Sequence, residues 1–98
     1  MSEKGVVMIV AVEYEFVPEA TERRLAARPA HREWLTVLKA DGRLVQAGPF
    51  ADGRSALLIF DVEDDAALDN LLAADPYPKD SYAVASRRPW TPLFDVTH

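Results

Sequence analysis

The amino-acid sequence predicts an α+β protein in which strands and helices follow the order β-α-β-β-α-β. Three observations support this class. Four short runs rich in β-branched and aliphatic residues alternate with two segments whose apolar residues recur at helical spacing. Proline, glycine and aspartate separate these segments, where they favour turns. The length of 98 residues suits one domain, which we assign to residues 1–98.

The first half of the chain supplies a strand, a helix and a second strand. Residues 6–12 (VVMIVAV) form a continuous apolar run that is typical of a strand buried on both faces. Residues 19–28 (EATERRLAAR) favour a short helical turn. A firmer helix is predicted at residues 29–40, because a proline suits its first turn and an Asp-Gly pair ends it. The second strand is predicted at residues 43–47.

The second half supplies a turn, a strand, a helix and a last strand. Residues 51–54 (ADGR) have the composition of a hairpin turn, and residues 56–60 (ALLIF) form the third strand. A helix is predicted at residues 64–74, where aspartates near the start favour the helix dipole, and a strand at residues 81–88. Right-handed crossovers between these elements give a ferredoxin-like fold with strand order 4-1-3-2.

Composition and charge exclude several classes of function. The net charge of −5 disfavours nucleic-acid binding, which needs a positive surface. The absence of cysteine excludes disulfides, thiolate nucleophiles and cysteine-bound zinc, and with two histidines we predict no metal site and no cofactor. No apolar stretch approaches the ~20 residues that span a membrane. We expect a soluble, cytoplasmic protein without a membrane partner.

The two central strands predict a homodimer. Helices cover one face of a ferredoxin-like sheet, yet residues 6–12 and 56–60 are apolar at odd and even positions alike. A sheet with one solvated face would alternate apolar and polar residues. We therefore expect the second face to pack against an identical subunit. In the alternative interpretation, small residues such as Ala11 and Ala56 tolerate partial exposure.

Two titratable residues are predicted to meet at one edge of the sheet. His31 precedes the apolar stripe of the first helix at the spacing that points it inward, and Asp75 continues the stripe of the second helix at its end. The stripes consist of Trp34, Leu35 and Leu38 in the first helix and Leu68, Leu71 and Leu72 in the second. The strand directions bring the start of the first helix and the end of the second to the same edge.

An imidazole beside a carboxylate is suited to proton transfer. Histidine exchanges a proton near neutral pH, and a neighbouring carboxylate orients the ring and stabilises its charged form, whereas a helix N-terminus opposes that charge. The residues alone leave two interpretations open. His31 and Asp75 are either a catalytic acid–base pair or a structural hydrogen bond.

Other residues at this edge are candidates for contact with a substrate. Tyr77 and Tyr82 have hydroxyl groups that can bind a phenol or lactone, or their rings pack at the rim. Pro49 and Phe50 follow the second strand, and Arg28 belongs to a group of arginines that either holds an anion or forms a solvated helix face. The remaining arginines of this group are Arg23, Arg24 and Arg32, and Tyr14 is placed at the same edge without a role.

Four segments resemble the YCII-related family. They are residues 29–35 (PAHREWL), 42–50 with GRL and AGPF, 73–77 (AADPY) and 88–90 (RPW), and the resemblance covers nearly the whole chain. It implies a dimeric α+β barrel and matches His31 and Asp75 to the proposed active-site pair of the family. Most members have no assigned reaction, and one relative is a dehydrochlorinase of a chlorinated hydroxyhydroquinone. The segment 19–28 and the acidic charge depart from the family pattern and leave the substrate open.

Two functions follow from these observations. The first is a small acid–base enzyme of the lyase or isomerase type that acts on a small aromatic or enol-type substrate, either anionic or phenolic. Loss of chloride from a chlorinated hydroxyhydroquinone is its sharpest version. The second is a non-catalytic dimeric module that binds a ligand or assists another protein. We predict the first.

Overall fold

The computed structural model describes residues 8–94 of the chain. Within them the strands are β1 (Met8–Phe16), β2 (Leu44–Pro49), β3 (Ser55–Val62) and β4 (Tyr82–Pro89). The helices are α1 (Thr21–Ala26), α2 (Arg28–Ala40) and α3 (Asp65–Ala73). Single turns of 3-10 helix precede α1 at Pro18–Ala20 and β4 at Lys79–Ser81. None of the helices in this part of the chain is long and apolar enough to cross a membrane.

The four strands form one antiparallel sheet in the order β2-β3-β1-β4. This arrangement confirms the predicted ferredoxin-like α+β fold and its strand order. β1 and β3 lie at the centre of the sheet, where Val12 is opposite Leu58. The pairing of β1 with β4 shifts register between Glu13 and Tyr14. Such irregularities re-aim neighbouring side chains and are frequent beside functional sites.

Two predicted boundaries are corrected by the structure. β1 continues to Phe16, because a strand with one buried face tolerates charged residues such as Glu13 and Glu15 at alternate positions. Residues 6 and 7 of the predicted strand lie outside the described residues. Residues 21–26 form a separate helix, α1, instead of a single turn, and Ala27 is the break between α1 and α2. Pro29 then falls in the first turn of α2, where its missing N–H has no helical partner to lose.

The core lies between the sheet and the helices. Every second residue of β1 and β3 points inward, as the two-residue period of a strand requires, and most of these residues are buried. Leu38 of α2 and three leucines of α3 cover these side chains. The side chain of Asp64 caps α3 by accepting the Ala67 backbone N–H at 2.8 Å, which satisfies one of the free donors at the helix start.

The opposite face of the sheet has an apolar patch, next to Glu13 and Glu15, that residues 8–94 do not cover. Ile9 and Ala11 of β1 and Leu57 and Ile59 of β3 are partly exposed, and they alternate with the buried residues. The predicted apolar character of both faces is therefore present in the structure. Association through this face stays a prediction.

Candidate active site

Asp75 lies just beyond the end of α3 with a fully buried side chain. Its carboxylate is 2.8 Å from Nδ1 of His31, and it accepts the Tyr14 hydroxyl at 2.7 Å and the Tyr77 backbone N–H at 2.9 Å. Because the last two partners are donors, the carboxyl group is an acceptor, as an ionised carboxylate is. Nδ1 of His31 therefore carries the hydrogen that Asp75 accepts. The structure brings the start of α2 and the end of α3 together at this carboxylate.

The sequence around Asp75 explains how its side chain is held. Pro76 cannot continue a helix, so α3 ends before it. The Asp75 side chain and the Tyr77 N–H close an Asx turn around this proline. Lys79 then donates from Nζ to the backbone oxygens of Asp75 at 2.6 Å and of Leu72 at 3.3 Å. These bonds satisfy carbonyl groups that the end of the helix leaves free.

His31 lies in the first turn of α2 and is buried. Its ring stacks on Tyr77 with the ring centroids 3.8 Å apart and the planes only 7° from parallel. Because Nδ1 is bonded to Asp75, the ring is fixed and Nε2 is its remaining nitrogen. Nε2 has no hydrogen-bond partner among residues 8–94. It is therefore the nitrogen that can exchange a proton with a ligand.

Tyr14 completes the hydrogen bonds of Asp75 from the inward face of β1. It is fully buried, and its ring stacks on Tyr82 with the centroids 4.2 Å apart. Burial and the negative charge of Asp75 raise the pKa of the Tyr14 hydroxyl far above its ordinary value of 10.0. The hydroxyl therefore stays protonated at neutral pH and remains a donor to the carboxylate.

A cavity of about 270 Å³ lies beside His31 and Tyr77. Apolar side chains of α2, β2 and β3 form one side of it, including Leu35, Ala47 and Leu58. Pockets for drug-sized ligands measure roughly 300 to 1,000 Å³, so this cavity suits a molecule with about one ring. It combines an apolar wall with an imidazole that has a free nitrogen.

Comparison with known proteins assigns the chain to a family. Residues 8–91 match the model of the YCII-related domain. The chain belongs to the YCII-related family. No curated protein matches it significantly. The matched range includes the whole sheet and helices α1 to α3 as well as His31 and Asp75, and it confirms the resemblance seen in the sequence.

The structure divides the residues that were predicted to bind a substrate of this YCII-related protein. Tyr77, Pro49 and Arg28 line the cavity, whereas Phe50 and Tyr82 do not. Phe50 follows β2 in the hairpin, where its N–H bonds the Ser55 carbonyl and its side chain is exposed. Tyr82 stacks on Tyr14 and supports that ring. Position at the correct edge of the sheet did not determine where either side chain points.

The sequence did not predict that one arginine of the cavity is buried. Arg24 of α1 lines the cavity, and only 8% of its surface is exposed. Its guanidinium lies 3.8 Å above the centroid of the Phe16 ring. The neighbouring Arg23 has its guanidinium bonded to Asp80. Arginines next to glutamates in a sequence do not show which arginine is buried, as Arg24 is, and which is exposed and paired, as Arg23 is. Within residues 8–94, no group of three or more metal-ligating side chains lies close enough together to hold a metal ion.

Proposed function

We propose that this YCII-related protein is a small acid–base enzyme of the lyase or isomerase type. Its substrate is a small aromatic or enol-type molecule. The observation that supports this proposal is the bond from His31 Nδ1 to the buried Asp75, which leaves Nε2 beside a cavity and without a partner in the described part of the chain. A buried carboxylate in this position fixes the tautomer of an imidazole and stabilises the imidazolium that forms when it takes a proton.

Each residue of the site has a defined part in this proposal. His31 Nε2 takes a proton from the substrate and returns one. Asp75 orients the imidazole and stabilises its positive charge. Tyr14 and the Tyr77 N–H hold the carboxylate in place, since a carboxylate with three donors has little freedom to rotate. The Tyr77 ring supports the imidazole by stacking against it.

Elimination of chloride from a chlorinated hydroxyhydroquinone is the most specific form of this proposal. The reaction transfers one hydroxyl proton to the ring carbon that bears the chlorine and removes a second hydroxyl proton, and chloride leaves with the electron pair of the C–Cl bond. The ring is released as a quinone, so no external oxidant is required. His31 would accept the proton. The resemblance to a family with one dehydrochlorinase member makes this substrate the first to test.

The test compares chloride release and quinone absorbance for the wild type, His31→Gln and a control. Loss of a general acid–base residue lowers turnover roughly 10²- to 10⁴-fold, and we expect this of His31→Gln. Val37→Ala is the control, because Val37 lies on the same helix with 52% of its surface exposed. Equal turnover by wild type and His31→Gln would exclude the proposed role of His31.

A second function is favoured by the complete burial of the Asp75 side chain. A fully satisfied polar network can also serve to specify a core. In that case the protein is a non-catalytic module that binds a ligand or assists another protein. His31→Gln would then lower the melting temperature without changing ligand affinity. Absence of turnover by the wild type would favour this alternative.

We also propose that the protein acts as a homodimer through the open face of the sheet. This face presents Ile9, Ala11, Leu57 and Ile59, and an identical subunit supplies a matching apolar surface. Sedimentation or light scattering should give twice the mass of the chain. Ile59→Lys should give a monomer, whereas Val37→Lys, on the exposed side of α2, should stay dimeric. A monomeric wild type would contradict the proposal.

A further inference from the structure

We propose that the cavity binds a small organic acid by its carboxylate group, and that Arg24 is the residue that recognises this group. The inference depends on the proposed function only in taking the bound acid to be the substrate. The binding itself is argued from Arg24 and its surroundings.

Arg24 is a buried cation to which the described part of the chain offers no acceptor. Its exposed fraction is 8%, and its Nε is buried without a hydrogen-bond partner among the described residues. The rest of the guanidinium also has no hydrogen bond or ion pair with any residue in the range 8–94. The guanidinium carbon lies 3.8 Å from the centroid of the Phe16 ring and 5.9 Å from that of Tyr77, and these cation–π contacts use none of its N–H donors. Buried charges are ordinarily paired, so the expected partner is a group that the protein binds.

The adjacent residue shows what an arginine of α1 does when the chain provides its partner. Arg23 donates to both carboxylate oxygens of Asp80, at 2.8 and 3.2 Å. Its side chain is 55% exposed. Arg24 has the same chemistry and is buried, where an ion pair is stronger than at the surface, yet no carboxylate of the described residues bonds it. The missing carboxylate is the one we assign to a ligand.

The charge of the cavity supports an anionic ligand. Arg28 and Arg32 line the cavity together with Arg24, and no aspartate or glutamate among residues 8–94 does. Asp75 lies behind His31, where three donors occupy it. The chain as a whole carries a net charge of −5. A cluster of three arginines in an acidic protein attracts anions to this one place.

The geometry favours a carboxylate over a phosphate. A guanidinium is planar and presents its donors in that plane, which matches the two oxygens of a carboxylate. Arg24 is the buried member of the three arginines, whereas Arg28 is partly exposed and Arg32 is exposed. One buried positive charge balances one negative charge, whereas a phosphate dianion would bury an unbalanced negative charge. The apolar wall with Leu35 and Leu58 suits the remainder of a small acid.

An acid bound to Arg24 would be held beside the proposed catalytic group. The Tyr77 ring contacts both residues, because His31 stacks on it at 3.8 Å and the Arg24 guanidinium lies 5.9 Å from its centroid. A carboxylate on Arg24 thus leaves the body of the molecule in the same cavity as His31. The substrate we infer has a carboxylate for binding and a separate carbon or hydroxyl that loses a proton, so it is a different acid–base substrate from a chlorinated hydroxyhydroquinone, which has no carboxylate.

Calorimetric titration with benzoate, benzamide and inorganic phosphate tests this inference. Benzamide has the shape of benzoate without its charge. We expect the wild type to bind benzoate more tightly than either of the others. Arg24→Met keeps an apolar side chain of similar length and should weaken benzoate binding roughly ten- to a hundredfold, as expected for loss of hydrogen bonds to a charged group. Arg24→Lys should restore part of the affinity.

Arg23→Met is the matched control, since it is the same change one residue earlier in α1. It should leave the benzoate affinity within about twofold of wild type, because Arg23 is bonded to Asp80. Three results would overturn the inference. They are failure of the wild type to bind benzoate at millimolar concentration, equal binding of benzoate and benzamide, and wild-type affinity of Arg24→Met. Tighter binding of phosphate than of benzoate would exclude the carboxylate.

Stability distinguishes a binding role from a purely structural one. If Arg24 awaits a ligand, Arg24→Met removes an unpaired buried charge, and the melting temperature without ligand should not fall. A fall of several degrees, with benzoate and benzamide affected alike, would assign Arg24 to packing and overturn the inference.

The result is separable from the test of the proposed function. His31→Gln should bind benzoate within about threefold of wild type, because Arg24 provides the anchor. If His31→Gln retains full turnover while Arg24→Met loses benzoate, the proposed function fails and the binding site stands. If His31→Gln is inactive and Arg24→Met binds benzoate normally, the proposed function stands and the binding site on Arg24 fails.

Discussion

The two ends of the core are built from the same three elements, β1, α2 and α3, but different interactions stabilise them. At one end, the inward positions are apolar, with Val10 on β1, Leu38 on α2 and Leu68 on α3. At the other end, the same stripes continue with Tyr14 on β1, with His31 on α2 and into Asp75 just beyond α3. We call these the apolar end and the polar end. The strand and helix periods that place apolar side chains in the core thus also place the residues of the candidate active site on the inward face.

The comparison shows that burial has different consequences at the two ends. Apolar burial is non-directional and depends on area and packing. A buried carboxylate depends on donors in fixed positions: His31 and the Tyr77 N–H bond one oxygen of Asp75, and Tyr14 alone bonds the other, so loss of the Tyr14 hydroxyl leaves that oxygen without its donor. We therefore expect substitutions at the apolar end to change stability alone and those at the polar end to change the site as well.

The largest change in stability is expected from Leu68→Ala at the apolar end. Leu68 is fully buried, and such a substitution removes transfer free energy and leaves a cavity, at a cost of about 3 kcal/mol. The free energy of unfolding in urea measures it. Benzoate affinity of the folded variant should match wild type, because Leu68 does not line the cavity.

Leu25→Ala is the matched control for this substitution. Leu25 is 40% exposed, so its loss should change the free energy of unfolding by about 0.5 kcal/mol or less. Equal losses for Leu68→Ala and Leu25→Ala would show that the apolar end does not support the fold as described.

Much of the fold and part of the polar end follow from sequence because they depend on periodicity. The inward directions of His31 and Asp75 come from helical spacing, and their common edge comes from the strand order. The structure has the predicted strand order, and the side chains of His31 and Asp75 form a hydrogen bond. The catalytic role of the pair stays a prediction, since geometry alone does not show turnover.

The features that sequence did not provide depend on three-dimensional contacts between distant residues. Alternation places Tyr14 on the inward face of β1, but its bond to Asp75 joins residues 61 positions apart. Arg24 and Arg23 are adjacent and chemically identical, and only the packing of α1 separates the buried residue from the exposed one. Tyr82 was placed at the correct edge, yet its ring is used to stack on Tyr14.

A smaller effect on stability is expected from Tyr14→Phe at the polar end. The substitution keeps the ring and its stacking on Tyr82 but removes the donor to Asp75. A hydrogen bond to a charged group contributes about 2 kcal/mol, and we expect a loss of this size at pH 7. Urea denaturation of both proteins measures the difference.

Tyr82→Phe is the control for the loss of a tyrosine hydroxyl. The Tyr82 hydroxyl lies 3.4 Å from Lys79 Nζ, a long contact, so its removal should cost less than about 1 kcal/mol. If Tyr14→Phe costs no more than Tyr82→Phe, the bond from Tyr14 does not stabilise the polar end.

The smallest effect concerns how this difference changes in alkali. The pKa of Tyr14 is raised in the folded protein above its ordinary value of 10.0, because the hydroxyl is buried beside Asp75. Above pH 10 the unfolded chain loses this proton while the folded protein keeps it, so wild-type stability falls as pH rises. Tyr14→Phe has no such proton to lose. The free energy of unfolding of the wild type should therefore exceed that of Tyr14→Phe by about 1.4 kcal/mol less at pH 11 than at pH 7. Burial also raises the pKa of Tyr82, and that group is present in both proteins. A difference in the free energy of unfolding that stays constant from pH 8 to pH 11 would show that the Tyr14 hydroxyl is not held in its protonated form by the fold.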